Sequence, residues 1–172
     1  RGQNLTGIDI DLEENVQPDI ITLTNVIACL ERAEGKESMV KMDQVFRDAV
    51  ERQIILSDDS MDTTWEIDLS GMSLPVARAA CRFIMNRLLG SGGDPEDLML
   101  ITGVGKRHQQ EDPETSGGDV VKPSRTALRE YVRQILREDF DPPLYSKIPS
   151  YAAGTVQIDK EIMRKWMDNC TK

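Results

Sequence analysis

The chain has 172 residues, 39% hydrophobic and 30% charged, with a formal net charge of −9. That length suits one good core, or one compact domain with an appendage. No apolar run reaches the roughly 18 residues a membrane helix needs, and the net acidity argues against indiscriminate nucleic-acid binding.

Residues 1–17 (RGQNLTGIDIDLEENVQ) are acidic and poor in large apolar groups, which predicts a disordered lead-in. The sequence opens on Arg1 rather than Met and shows no signal or transit segment, so it reads as a fragment whose address is not written in it. From Pro18, the residues Ile20, Leu23, Val26, Ile27 and Leu30 recur at helical spacing until Gly35. A second amphipathic helix carries Met39, Met42, Val45, Phe46, Ala49 and Val50 on one side. The pair predicts an αα-hairpin over residues 18–60. A lone hairpin cannot bury both of its faces, so neighbours are expected.

Charge divides the chain near the same boundary. Residues 1–66 hold 6 Lys/Arg against 15 Asp/Glu, whereas residues 67–172 hold 15 of each. The acidic third is a candidate docking surface for a basic partner such as a ribosomal protein. Of the three cysteines, Cys29 and Cys81 fall on expected apolar helix faces as buried, reduced thiols. With Cys170 they form no C-x-x-C pair, and the single histidine, His108, has no cysteine cluster beside it, so no zinc site is expected.

The segment PDIITLTNVIACLERAEGKESMVKMDQVFRDAVERQIILSDD resembles a pentatricopeptide repeat, with about two extra residues between Gly35 and Phe46. In that family each repeat reads one RNA base through two or three side chains. The resemblance places the leading reading position on Thr24 and the second near Ser57 or Asp58. A capping hairpin that only closes a solenoid is the alternative.

From Trp65 the periodicity changes. WEIDL reads as a strand, followed after Gly71 by a helix with Val76, Ala80, Phe83, Ile84 and Leu88 on one face and Arg78, Arg82 and Asn86 on the other. Ser73 is its expected N-cap, Pro75 suits its first turn, and Gly90-Ser91-Gly92-Gly93 ends it. LMLIT (98–102) reads as a buried strand, and 103–122 as a long polar loop of the kind usually kept for function. A helix from Pro123 turns Leu128, Val132, Ile135 and Leu136 inward, then Asp141-Pro142-Pro143 breaks the chain. LYSKI and GTVQI predict two further strands, and DKEIMRKWMDN a last helix. The order β-α-β-α-β-β-α over residues 64–172 predicts a two-layer α/β domain, a four-stranded sheet with helices packed on it.

Two motifs in this region resemble the small MutS-related (Smr) family. Its first-strand Leu-Asp-x-His-Gly appears here as Ile67-Asp68-Leu69-Ser70-Gly71, and its Thr-Gly-x-Gly as Thr102-Gly103-Val104-Gly105. The later Gly154-to-Trp166 segment also agrees with the family. The resemblance implies an Smr-type fold and nucleic-acid binding, RNA above all and DNA as an alternative. Joined to a pentatricopeptide-like repeat, it implies a chloroplast protein of RNA processing or translation, with ribosomal or other chloroplast proteins as further partners. In nucleolytic members the motif aspartate and histidine are implicated in cleavage. By that resemblance Asp68 is the candidate catalytic residue, with Mg or Mn as a conceivable cofactor. Ser70 stands where the histidine belongs and lacks its basicity, which counts against the nuclease.

The residues speak to phosphate binding on their own. Glycines directly after a strand let backbone N–H groups face a phosphate, so Thr102, Gly103 and Gly105 are candidate contacts, with Lys106 and Arg107 following. A nucleotide P-loop is excluded, because the position five before Gly105 is Leu100, and Arg107 stands where a Ser or Thr must follow the lysine. Arg125, Arg129, Arg133 and Arg137 recur every four residues, with Lys122 just before them and Glu130 as the one acid between 120 and 137. Such spacing makes a slanted basic ridge able to touch several phosphates without reading bases. Lys160, Arg164 and Lys165 form a second, more ordinary cluster. Trp65 and Trp166 are expected in the core, and Tyr145 and Tyr151 in core or rim packing, with base stacking as the alternative role.

Overall fold

A computed structural model describes residues 18–56, 65–103 and 125–171. Within them the chain is an α/β protein of five helices and a three-stranded mixed sheet. Helix α1 (Ile20–Arg32) starts where the Asp19 carboxylate accepts the Thr22 N–H at 2.8 Å. Gly35, at φ +117°, turns the chain into α2 (Lys36–Glu51). Leu23 and Ile27 of α1 pack with Met42, Phe46, Ala49 and Val50 of α2. The expected stripe of α1 is narrower than its sequence pattern. Ile20 and Val26 are exposed, and so is Cys29, contrary to the expected buried thiol. Cys29 lies two residues from Ile27, on the far side of a helix that turns about 100° per residue. Cys81 is buried as expected.

Strand β1 (Glu66–Asp68) pairs in parallel with β2 (Leu98–Ile101), and β2 pairs antiparallel with β3 (Thr155–Ile158), giving the order β1-β2-β3. The crossover between β1 and β2 is α3 (Leu74–Ser91), ended by Gly92 in a left-handed conformation. Ser73 occupies the N-cap position, but its hydroxyl makes no capping bond. Pro75 has no N–H to offer there. LYSKI does not form the expected fourth strand among the described residues. Only Lys147 pairs, in a single antiparallel bridge to Gln157 of β3. The prolines at 142, 143 and 149 withhold the donors that a longer ladder would need.

Helix α4 (Arg125–Glu138) buries Leu128, Val132, Ile135 and Leu136 as expected, and α5 (Lys160–Cys170) buries Met163 and Trp166. The core is continuous, from Leu23 in the hairpin through α3 and the sheet to Trp166. Helix α3 makes it so. One of its faces carries Val76, Ala80 and Ile84, and the hairpin covers the opposite face with Arg78 and Arg82. Both arginines enter ion pairs. Arg78 donates twice at 2.7 Å to Asp139 beyond α4 and lies 3.5 Å from Glu31 of α1, while Arg82 grips Asp43 of α2 at 2.7 and 2.8 Å. The Tyr131 hydroxyl of α4 donates to Glu31 at 2.7 Å. Burial and the Glu31 carboxylate together raise the Tyr131 phenol well above its usual range, which keeps it a donor. No described helix is long and apolar enough to cross a membrane.

Candidate nucleic-acid interface

Strands β1 and β2 are parallel, so their carboxyl ends share one edge of the sheet, and the antiparallel β3 begins there. Ligands of open α/β sheets gather at the carboxyl ends of parallel strands. Asp68 closes β1 at this edge, Thr102 and Gly103 leave β2, and Gly154 leads into β3. Asp68, the candidate catalytic residue, therefore shares an edge with Thr102 and Gly103, the candidate phosphate contacts.

Asp68 fixes a turn. Its Oδ1 accepts the Ser70 N–H at 2.7 Å, and the Met72 N–H returns to the Leu69 carbonyl at 3.2 Å. Gly71 sits at φ +79° in the third place of that turn, where a type II turn requires glycine. The carboxylate is exposed, and no cluster of three potential metal ligands occurs among the described residues.

Thr102 and Gly103 do not present donors to a phosphate. The Thr102 N–H, at 2.8 Å, its hydroxyl, at 2.9 Å, and the Gly103 N–H, at 3.2 Å, all reach the Gly154 carbonyl. Both residues are buried. Strand β3 runs antiparallel beside β2, so the carbonyl preceding it closes on the end of β2 and uses the donors expected to face solvent. The first half of the glycine motif is thus a brace for the 149–154 turn. Gly105, Lys106, Arg107, His108 and Lys122 lie outside the described residues, as do Ser57 and Asp58 of the hairpin. Thr24 turns its hydroxyl onto the Ile20 carbonyl of its own helix at 2.8 Å.

The braced turn meets the arginine helix. Arg129 donates Nη1 to the Ala153 carbonyl at 2.8 Å, one residue before the carbonyl that holds Thr102 and Gly103. Glu130 accepts from Arg129 Nε at 3.3 Å and from Arg133 Nη1 at 3.0 Å, so one carboxylate serves two guanidinium groups. Arg133 Nε is buried without a hydrogen-bond partner among the described residues. Arg137 is exposed and donates to the Arg133 carbonyl at 3.3 Å. Of Arg125 only the backbone, as the first residue of α4, is described. In the second cluster Arg164 is paired with Asp94 at 2.9 Å. The chain matches no protein-family model, no curated protein and no solved structure.

Proposed function

We propose that this chain is a nucleic-acid-binding module, for RNA before DNA, in a chloroplast factor of RNA processing or translation. In this reading residues 64–172 are an Smr-type domain and residues 18–60 a degenerate pentatricopeptide-like hairpin. Arg129, Arg133 and Arg137 of α4 contact backbone phosphates, and the Thr102–Gly103 brace holds the adjoining turn in place. The observation that carries the reading is the bond from Arg129 to Ala153 at 2.8 Å, which joins the arginine helix to the carboxyl edge of the sheet. Arg129 and Arg133 there share one carboxylate, Glu130, and the exposed Arg137 follows one turn on, which leaves a surplus of positive charge on a chain that is acidic as a whole. Guanidinium groups suit phosphate because their donors match its oxygens in pairs.

The test is a salt titration of RNA binding by the full chain, comparing wild type with Arg133→Gln/Arg137→Gln. Loss of two phosphate contacts should weaken binding on every sequence alike and flatten the salt slope by about 1.4, at roughly 0.7 per contact on a single strand. An unchanged slope would remove α4 from the interface. Cleavage is the less supported reading, since an Asp68 oxygen accepts the Ser70 N–H and Ser70 stands at the motif position of the histidine.

A further inference from the structure

Tyr151 is 78% exposed, the most exposed of the large apolar and aromatic side chains among the described residues. Its place in the fold is what gives that exposure meaning. The 149–154 turn that carries it is held from within, by the Ala152 N–H on the Pro149 carbonyl and the Thr155 N–H on the Ala152 carbonyl, both at 3.0 Å. It is also held from outside, by Arg129 on Ala153 and by Thr102 and Gly103 on Gly154. A backbone tied at that many points presents the ring at a fixed place, so little ordering entropy is left for a ligand to supply. The guanidinium of Arg129 bonds to Ala153, two residues along the turn from Tyr151, a separation of about 7 Å at most between the Cα atoms of Tyr151 and Ala153. An exposed ring on a turn that a cation also grips suits a single-stranded nucleotide, its base on the aromatic face and its phosphate toward the charge. Duplex RNA keeps its base faces inside the stack, where a protein side chain cannot reach them.

We propose that Tyr151 is a base-stacking platform that makes this edge select single-stranded over duplex RNA. The proposal rests on the phosphate-binding reading above. Tyr145 supplies an internal comparison. It is 65% exposed, but the antiparallel pairing of Lys147 with Gln157 puts it toward the other end of β3, away from Arg129. An aromatic ring that is merely exposed should behave like Tyr145; a platform should not.

The experiment uses the full chain and a labelled, unstructured RNA of about 12 nucleotides, alone and annealed to its complement, followed by fluorescence anisotropy at low salt. Stacking of one base predicts a loss of about fivefold or more for Tyr151→Ala on the single strand. The duplex affinity should not change, Tyr151→Trp should restore binding, and Tyr145→Ala should match wild type on both RNAs. Equal affinity of Tyr151→Ala and wild type for the single strand overturns the proposal, as does an equal loss on the duplex or with Tyr145→Ala. Arg133→Gln/Arg137→Gln, measured alongside, separates the two ideas. If it weakens both RNAs while Tyr151→Ala weakens neither, phosphate binding stands and stacking falls. If wild type binds neither RNA, both fall.

Discussion

Removing the guanidinium of Arg78 should destabilise the whole molecule, because that group ties α1 and α4 to the central helix. Asp139 is only 8% exposed and receives two hydrogen bonds at 2.7 Å from Arg78, while Glu31 shares the same cation at 3.5 Å. Arg78→Ala therefore strands a mostly buried carboxylate and takes a counter-charge from a second. Breaking a buried pair from one side costs about 3–5 kcal/mol. The Arg78 side chain retains 28% of its exposure, so water reaches the pair and the lower end, about 3 kcal/mol, applies. At about 2–4 °C per kcal/mol for a chain of this size, Tm should fall by about 6–12 °C. Thermal unfolding followed by circular dichroism reads this directly. The stranded charge is the cause, so Arg78→Met with Asp139→Leu should recover most of the loss, whereas additive losses from the two single variants are not expected. A fall in Tm below about 2 °C for Arg78→Ala would refute the reasoning, and the hairpin would then be held by apolar packing and its other polar ties, Arg82 to Asp43 and Tyr131 to Glu31.

The other expectations are simpler to read. Asp68→Ala should cost about 1 kcal/mol through loss of the bond that Ser70 makes, and RNA held with Mg or Mn should stay intact with either protein; metal-dependent cleavage that disappears in the variant would restore the nuclease. Burial pushes the Cys81 thiol up to about 12, and the Asp139 charge adds to it. A thiol reagent at pH 8 should therefore modify Cys29 and Cys170 in the folded protein and Cys81 only after unfolding, with Cys170 the slower of the first two because partial burial raises its pKa. Three equally fast thiols would contradict this packing of α3.

Local patterns carried most of the fold. Helical spacing marked Leu23, Ile27, Met42 and Phe46 as core, and it marked the inward face of α4 residue by residue. Short apolar runs between turn residues located β1, β2 and β3. What depended on distant partners was not legible. Spacing puts Arg78 and Arg82 on the face opposite Val76 but does not name their partners, since Asp139 lies 61 residues from the first and Asp43 lies 39 from the second. Nothing in the spacing of α3 announces that the hairpin will cover it. The partner of the Thr102 and Gly103 donors is hidden in the sequence for the same reason. Their acceptor, Gly154, comes 52 residues later and reaches them only because β3 runs antiparallel. LYSKI has strand composition, yet its flanking prolines limited it to one bridge. Tyr151 needed the structure to separate a rim residue from an exposed one, because composition does not distinguish a turn that is packed from one that projects.

Glu130 offers the most direct measurement of the central claim, that the arginines of α4 hold phosphate. It is the one carboxylate between Arg129 and Arg133, at 3.3 and 3.0 Å, and it is half exposed, so its removal disturbs little packing. Glu130→Gln should free about one positive charge, tighten RNA binding, and steepen the dependence of log affinity on log salt by about 0.7. Binding that weakens, or an affinity and slope equal to those of wild type, would contradict the account.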